Sequence, residues 1–169
     1  KIGDSIWVTG NIGESYIEIL LKQKKININM QFNKYFINKY LYPNPCMIGS
    51  QINKMVNSAI DISDGLLGDL SKLLNNKIGA NLFLSKIPFS PKLKILINKM
   101  SLDYKNLLTC GDDYELIFTS SKTMDKKITN LAKKNKYKIS KVGTIIDKKG
   151  LFIDGKKVLN LNNSFQYFF

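Results

Sequence analysis

The sequence contains no histidine and no arginine, so all 26 of its basic residues are lysine. Without an imidazole base, a Ser-His-Asp or Cys-His nucleophilic mechanism is excluded. Cysteine is scarce: Cys46 and Cys110 are the two present, with no CxxC spacing. They are too few for a zinc site or a disulfide framework and are expected to be small buried residues. No apolar run approaches the roughly 20 residues of a membrane-spanning helix, and the opening residues carry no signal-peptide pattern. A soluble, cytoplasmic protein is therefore expected. Any catalysis must run on carboxylates, lysines, backbone amides or metal ions.

What is present is a chain of 169 residues, 44% hydrophobic and 23% charged, the balance of one globular domain with a real core. Its formal charge of +13 invites a nucleic-acid reading. Two features argue against that. The lysines are spread along the whole chain among asparagine and isoleucine, as AT-rich codon usage produces. A dedicated reader of nucleic acid would use arginine for bidentate contacts. The chain opens at Lys1 and runs directly into Gly3-Asp4-Ser5-Ile6-Trp7-Val8-Thr9, a turn entering a buried strand, so further sequence upstream is expected.

Periodicity predicts strands over 6–9, 59–62, 80–84, 115–119 and 139–146, with helices over 14–23, 29–41, 49–56, 66–74, 92–100 and 122–135. The 29–41 helix is expected to bury Phe36, Ile37, Tyr40 and Leu41 on one face, and Pro43 and Pro45 end it. Pro88 and Pro91 are expected to mark a loop. Asp154-Gly155 is a two-residue hairpin signal between 151–153 and 156–158. The closing hairpin argues for a mixed or antiparallel sheet. Residues 1–169 are expected to form one α+β domain with helices packed on that sheet.

Three clusters could carry chemistry. In Asp61-Ile62-Ser63-Asp64-Gly65-Leu66, a buried strand delivers two carboxylates and a hydroxyl to a tight turn before a leucine-faced helix. Such a site suits Mg2+ and a polyphosphate, and equally an ordinary helix N-cap worth about 1 kcal/mol. Gly111-Asp112-Asp113-Tyr114-Glu115-Leu116 holds three acids that repel one another unless a cation or donor satisfies them; a solvated acidic turn is the alternative. Val8-Thr9-Gly10-Asn11-Ile12-Gly13 would suit either a phosphate cradle or a close-packed turn. It lacks the Lys-Ser/Thr of a P-loop and the third glycine of a dinucleotide fingerprint.

These residues resemble the thiamine-monophosphate kinase family. Asp61 to Leu66 is similar to its D-I-S-D-G-L signature, and Gly3-Asp4 with Val8-Thr9-Gly10 and Gly13 to its G-D-x-x-x-V-T-G-x-x-G segment. Gly111 to Leu116 resembles its G-G-E-D-Y-E-L box and Phe165-Gln166-Tyr167-Phe168 its aromatic tail, all in the family's order. The resemblance implies the C-terminal domain type of aminoimidazole ribonucleotide synthetase. It also implies transfer of the γ-phosphoryl group of ATP to thiamine monophosphate with Mg2+. By position Asp61 and Asp64 would be metal ligands, Ser63 an ATP contact, and Asp112 and Phe165 substrate contacts. It further implies an N-terminal ATP- and metal-binding domain not contained in these residues, and a homodimer when complete.

Four positions depart from the pattern: Cys46 stands for arginine, Cys110 for glycine, Asp112 for glutamate and Tyr167 for histidine. They motivate a second reading, a degenerate non-catalytic relic of the kinase. A basic nucleic-acid-binding module is the third, and it would require steeply salt-dependent binding.

Overall fold

Alternation along β1 (Ser5–Thr9) sends Ile6 and Val8 to one side of a sheet and Trp7 to the other, and all five residues are buried. A strand with apolar side chains on both faces must lie inside a sheet covered on both sides. In the computed structural model, which describes residues 1–75 and 77–159, β1 sits between β4 (Glu115–Ser120) and β5 (Ile139–Ile146). β2 (Ser58–Ile62) pairs outside β4. β3 (Gly79–Leu82), β6 (Gly150–Ile153) and β7 (Lys156–Lys157) continue beyond β5. The sheet order is β2-β4-β1-β5-β3-β6-β7, antiparallel except for the parallel β3–β6 pair. The expected α+β fold class with a mixed sheet is what forms.

The larger core lies on one face. There α1 (Glu14–Lys22), α2 (Met30–Leu41), α4 (Leu66–Leu73), α5 (Pro91–Met100) and α6 (Tyr104–Thr109) cover Ile6, Val8, Ile62 and Ile117. Leu66, Leu67 and Leu70 of α4 are fully buried, each stabilising the fold by about 2 kcal/mol of transfer free energy. On the other face α3 (Gly49–Ile52) and α7 (Asp125–Lys134) enclose Trp7, Ile48, Ile52, Phe118 and Ile128. Trp7 stacks on Phe118 with centroids 6.3 Å apart and donates its indole N–H to Ser120 Oγ, so its polar edge is satisfied inside. Among the described residues no helix is long and apolar enough to cross a membrane.

Several local expectations change. The helix expected over 49–56 is the single turn Gly49–Ile52. Pro91 does not mark a loop but is the first residue of α5, with Ser90 as N-cap accepting the Leu93 amide. α6, which periodicity missed, is too short to show a period and is started by the Asp103 side chain accepting from the Lys105 amide. In α2 the inward face is Phe32, Tyr35 and Phe36 packed toward α1, whereas Leu41 is exposed. β2 is an edge strand rather than a buried one: Ala59 and Asp61 face out and Ile62 faces the core. The hairpin forms as expected, with Asp154 (φ 48°) and Gly155 (φ 78°) both left-handed, as a primed two-residue turn requires.

Candidate functional site

β2 runs antiparallel to β4 with Ile62 opposite Glu115, so the end of β2 and the start of β4 emerge at the same edge. The loops continuing from them are stitched together beyond the ladder. The Asp112 amide donates to the Ser63 carbonyl and the Tyr114 amide to the Ile62 carbonyl, both at 3.0 Å. Asp112 (φ 66°) and Tyr114 (φ 51°) take left-handed backbone conformations to make this crossing. Two motifs about fifty residues apart thus become one surface.

Within it the acids have different fates. The Asp113 carboxylate is turned inward, accepting from the Gly13 amide at 2.7 Å and the Ser15 hydroxyl at 3.2 Å. Desolvation raises its pKa to about 7, against the lowering effect of those donors. Glu115 accepts from the Thr9 hydroxyl at 2.5 Å, and its pKa is also raised, chiefly by burial. Its carboxylate fills the space that a side chain at Gly10 would take. The 111–116 segment is therefore no solvated acidic turn. Asp112 alone of its three carboxylates keeps no partner inside the sheet; its Oδ1 accepts from the Tyr114 hydroxyl at 3.1 Å. The Val8–Gly13 segment is the close-packed turn and no phosphate cradle. Gly13 is the N-cap of α1, packed so closely that a Cβ there would lie 3.1 Å from the Leu107 carbonyl, and its amide is spent on Asp113.

The Asp61–Leu66 loop is shaped by a residue that the sequence reading missed. Asp69, on the first turn of α4 and fully buried, accepts the amides of Ser63 at 2.9 Å and Asp64 at 2.8 Å through one oxygen. Its other oxygen meets the Lys72 ammonium at 2.7 Å, and Lys72 reaches on to Asp64 Oδ2 at 2.5 Å. Those two carboxylates raise the Lys72 pKa. The capping alternative is not realised: Gly65 is the N-cap and no side chain caps α4. The spacing that could have revealed the arrangement is Asp64, Asp69, Lys72, with Asp69 and Lys72 at i, i+3 on one helix.

Asp61 is exposed and lines an open groove of about 360 Å3 with Cys46, Met47, Tyr114 and Glu115. A second groove of about 450 Å3 adjoins it through Glu115 and is bordered by Lys39, Lys136 and Lys138. Ser63 and Asp112 are half-buried. Phe165 lies outside the described residues. Cys110 is buried, and desolvation raises its thiol pKa to about 12; Cys46 is half-exposed.

The donor set suits a hard divalent cation, because carboxylate oxygens are what Mg2+ takes and Asp64 already holds one cation, the Lys72 ammonium. Among the described residues no three acidic, cysteine or histidine side chains converge on one point. The fit is thus to an ion held by one or two carboxylates here, with phosphate oxygens or another segment completing its shell.

Residues 1–156 match the family model described as AIR synthase related protein, C-terminal domain. A protein of Buchnera aphidicola subsp. Acyrthosiphon pisum named thiamine-monophosphate kinase is 41% identical over 99% of this chain and 54% of its own length. The crystal structure of a thiamine-monophosphate kinase from Stenotrophomonas maltophilia superposes with a TM-score of 0.78 at 26% identity, over 94% of this chain and 52% of that one. A structure of AaThiL complexed with AMPPCP and TMP gives 0.76 at 28% identity, over 94% and 50%. The chain spans about half the length of these relatives.

Proposed function

This chain belongs to the family of AIR synthase related proteins, C-terminal domain, and we propose that it forms the C-terminal part of a cytoplasmic enzyme that phosphorylates thiamine monophosphate with ATP. The observation that carries the proposal is the Ser63–Asp112 backbone hydrogen bond, which joins the Asp61–Leu66 segment to the Gly111–Leu116 segment. The similarity to proteins named thiamine-monophosphate kinase supports the choice of reaction.

In the proposed reaction an oxygen of the thiamine monophosphate phosphate attacks the γ-phosphorus of ATP. The bond to the ADP oxygen breaks, and thiamine diphosphate forms. The attacking group is already an anion, so no protein nucleophile is needed and a histidine-free site suffices; the protein's task is positioning and charge neutralisation. Asp61 and Asp64 hold Mg2+, Ser63 offers its hydroxyl to ATP, and Asp112, with Phe165 of the tail, takes the substrate. Mg2+ would supply neutralisation of the phosphate charge. An N-terminal domain of the same enzyme would provide the remaining nucleotide and metal ligands, and the complete enzyme would be a homodimer.

The test mixes this chain with the N-terminal half of a full-length relative, Mg-ATP and thiamine monophosphate, and measures thiamine diphosphate. Product that needs both halves and is lost in Asp64→Asn is expected. No product from a folded, associated pair would sink the kinase reading and favour the relic.

A further inference from the structure

The carboxylate of Asp69 is the one fully buried acid in contact with the Asp61–Leu66 loop, and it belongs to the following helix rather than to the loop. Burying a carboxylate costs several kcal/mol unless donors surround it. Here three donors do: the Ser63 amide, the Asp64 amide and the Lys72 ammonium, all at 2.9 Å or less. Ordinary helix capping does not account for this, because the two amides precede the N-cap Gly65 and lie outside α4. The contacts instead fix the backbone of the two residues whose side chains are to meet ATP and the metal ion. The second oxygen acts on the same residue by another route: it anchors Lys72, whose ammonium is shared with Asp64.

Resting on the kinase reading, we propose that Asp69 is a positioning residue that sets the Ser63-Asp64 backbone and shares the Lys72 ammonium with Asp64, so that Asp64 is not its sole partner. Asp69 never touches substrate. It holds the loop in the conformation that presents the Asp64 carboxylate outward, and it competes with Asp64 for the one ammonium within reach of both. With a divalent ion held at Asp64, Lys72 would keep Asp69 as its partner, so the ammonium would not be left unpaired. Removing the negative charge at Asp69 leaves Lys72 a single partner, Asp64, and so sets the ammonium against the incoming ion. Partners of metal ligands commonly matter for affinity by about 10- to 100-fold.

The test uses the whole chain and Mn2+ as a paramagnetic probe, read by NMR line broadening at Asp64 and by titration, beside amide hydrogen exchange. Asp69→Asn keeps an acceptor for the two amides but loses the charge that holds Lys72. It is expected to weaken Mn2+ binding about 10-fold or more, while Lys72→Met does not weaken it and restores binding in the double variant. In the unaltered chain the Ser63 and Asp64 amides are expected to exchange slowly. Should Asp69→Asn fail to fold, Lys72→Met and the exchange measurement still decide: weaker binding in Lys72→Met, or fast exchange at both amides, overturns the proposal. Unchanged Mn2+ affinity in a folded Asp69→Asn overturns the positioning role alone. No Mn2+ effect near Asp64 in the unaltered chain sinks the metal reading of the loop, and this role with it.

Discussion

The backbone amide of Gly13 donates to Oδ2 of Asp113 at 2.7 Å, tying the start of α1 to a loop one hundred residues further along the chain. The start of a helix carries a partial positive charge, and a carboxylate is the group expected to settle there. The same carboxylate is desolvated strongly enough that its pKa rises to about 7.

That shift makes stability depend on pH in a direction opposite to that of a salt-bridged acid. The folded pKa of Asp113 lies above the unfolded value of 3.8, so between them the native state binds more protons than the unfolded one. Its contribution is complete below about pH 4 and is lost as pH rises through about 7. Asp113→Asn, which resembles the protonated form, should flatten the difference in urea midpoint between pH 5 and pH 8. An unchanged difference would show that the carboxylate is not titrating in this range.

Gly65 (φ 94°) passes against the backbone of α6 so closely that a Cβ would lie 2.6 Å from the Thr109 carbonyl. Backbone cannot give way as a flexible side chain does, and the φ is itself unfavourable for an L-residue. Gly65→Ala should cost at least about 2 kcal/mol in denaturant unfolding. Gly3→Ala serves as the comparison, because Gly3 has φ 85° but open space around it. Equal losses in the two variants would mean that the close approach does not matter.

Thr9 is fully buried and serves two partners, donating to Glu115 Oε2 and accepting the Leu116 amide at 2.8 Å. Thr9→Val keeps the shape and strands both groups. The expected loss is about 1–3 kcal/mol, the usual cost of an unsatisfied buried donor or acceptor. Equilibrium unfolding checks it, and a neutral substitution would show that water reaches the start of β4.

The two thiols should separate kinetically. Cys110 is buried with its pKa raised to about 12, whereas Cys46 borders the open grooves. Native protein at pH 8 should take one equivalent of iodoacetamide at Cys46 and resist at Cys110, since the thiolate is the reactive form and access is required. Peptide mapping after timed alkylation reads the outcome; labelling of Cys110 at the same rate would contradict the packing around Gly65.

Much of the secondary structure was legible because its causes are local. Alternation in Ile6-Trp7-Val8, the leucine stripe of α4 and the Asp154-Gly155 turn each act within a few residues. α6 escapes because six residues hold too little of a helical period, and the inward face of α2 is only partly legible, Phe36 being buried as expected and Leu41 exposed, because packing against α1 decides it. For the site, the acidic residues could be picked out but not sorted. Asp112, Asp113 and Glu115 look alike in sequence and all three border one small cleft, yet Asp113 and Glu115 are turned onto donors from Gly13, Ser15 and Thr9, whereas Asp112 meets the Tyr114 hydroxyl.

By itself, then, the sequence determined which elements form, which four segments match a known family and which chemistries a histidine-free chain cannot perform. The tertiary structure alone decided which carboxylates face outward, that Asp69 holds the Ser63-Asp64 loop, and that Lys72 stands between two acids. The division has a physical reason. Helices, strands and turns follow from interactions over a few residues, whereas desolvation and hydrogen-bond partnership depend on neighbours that only the folded chain brings together.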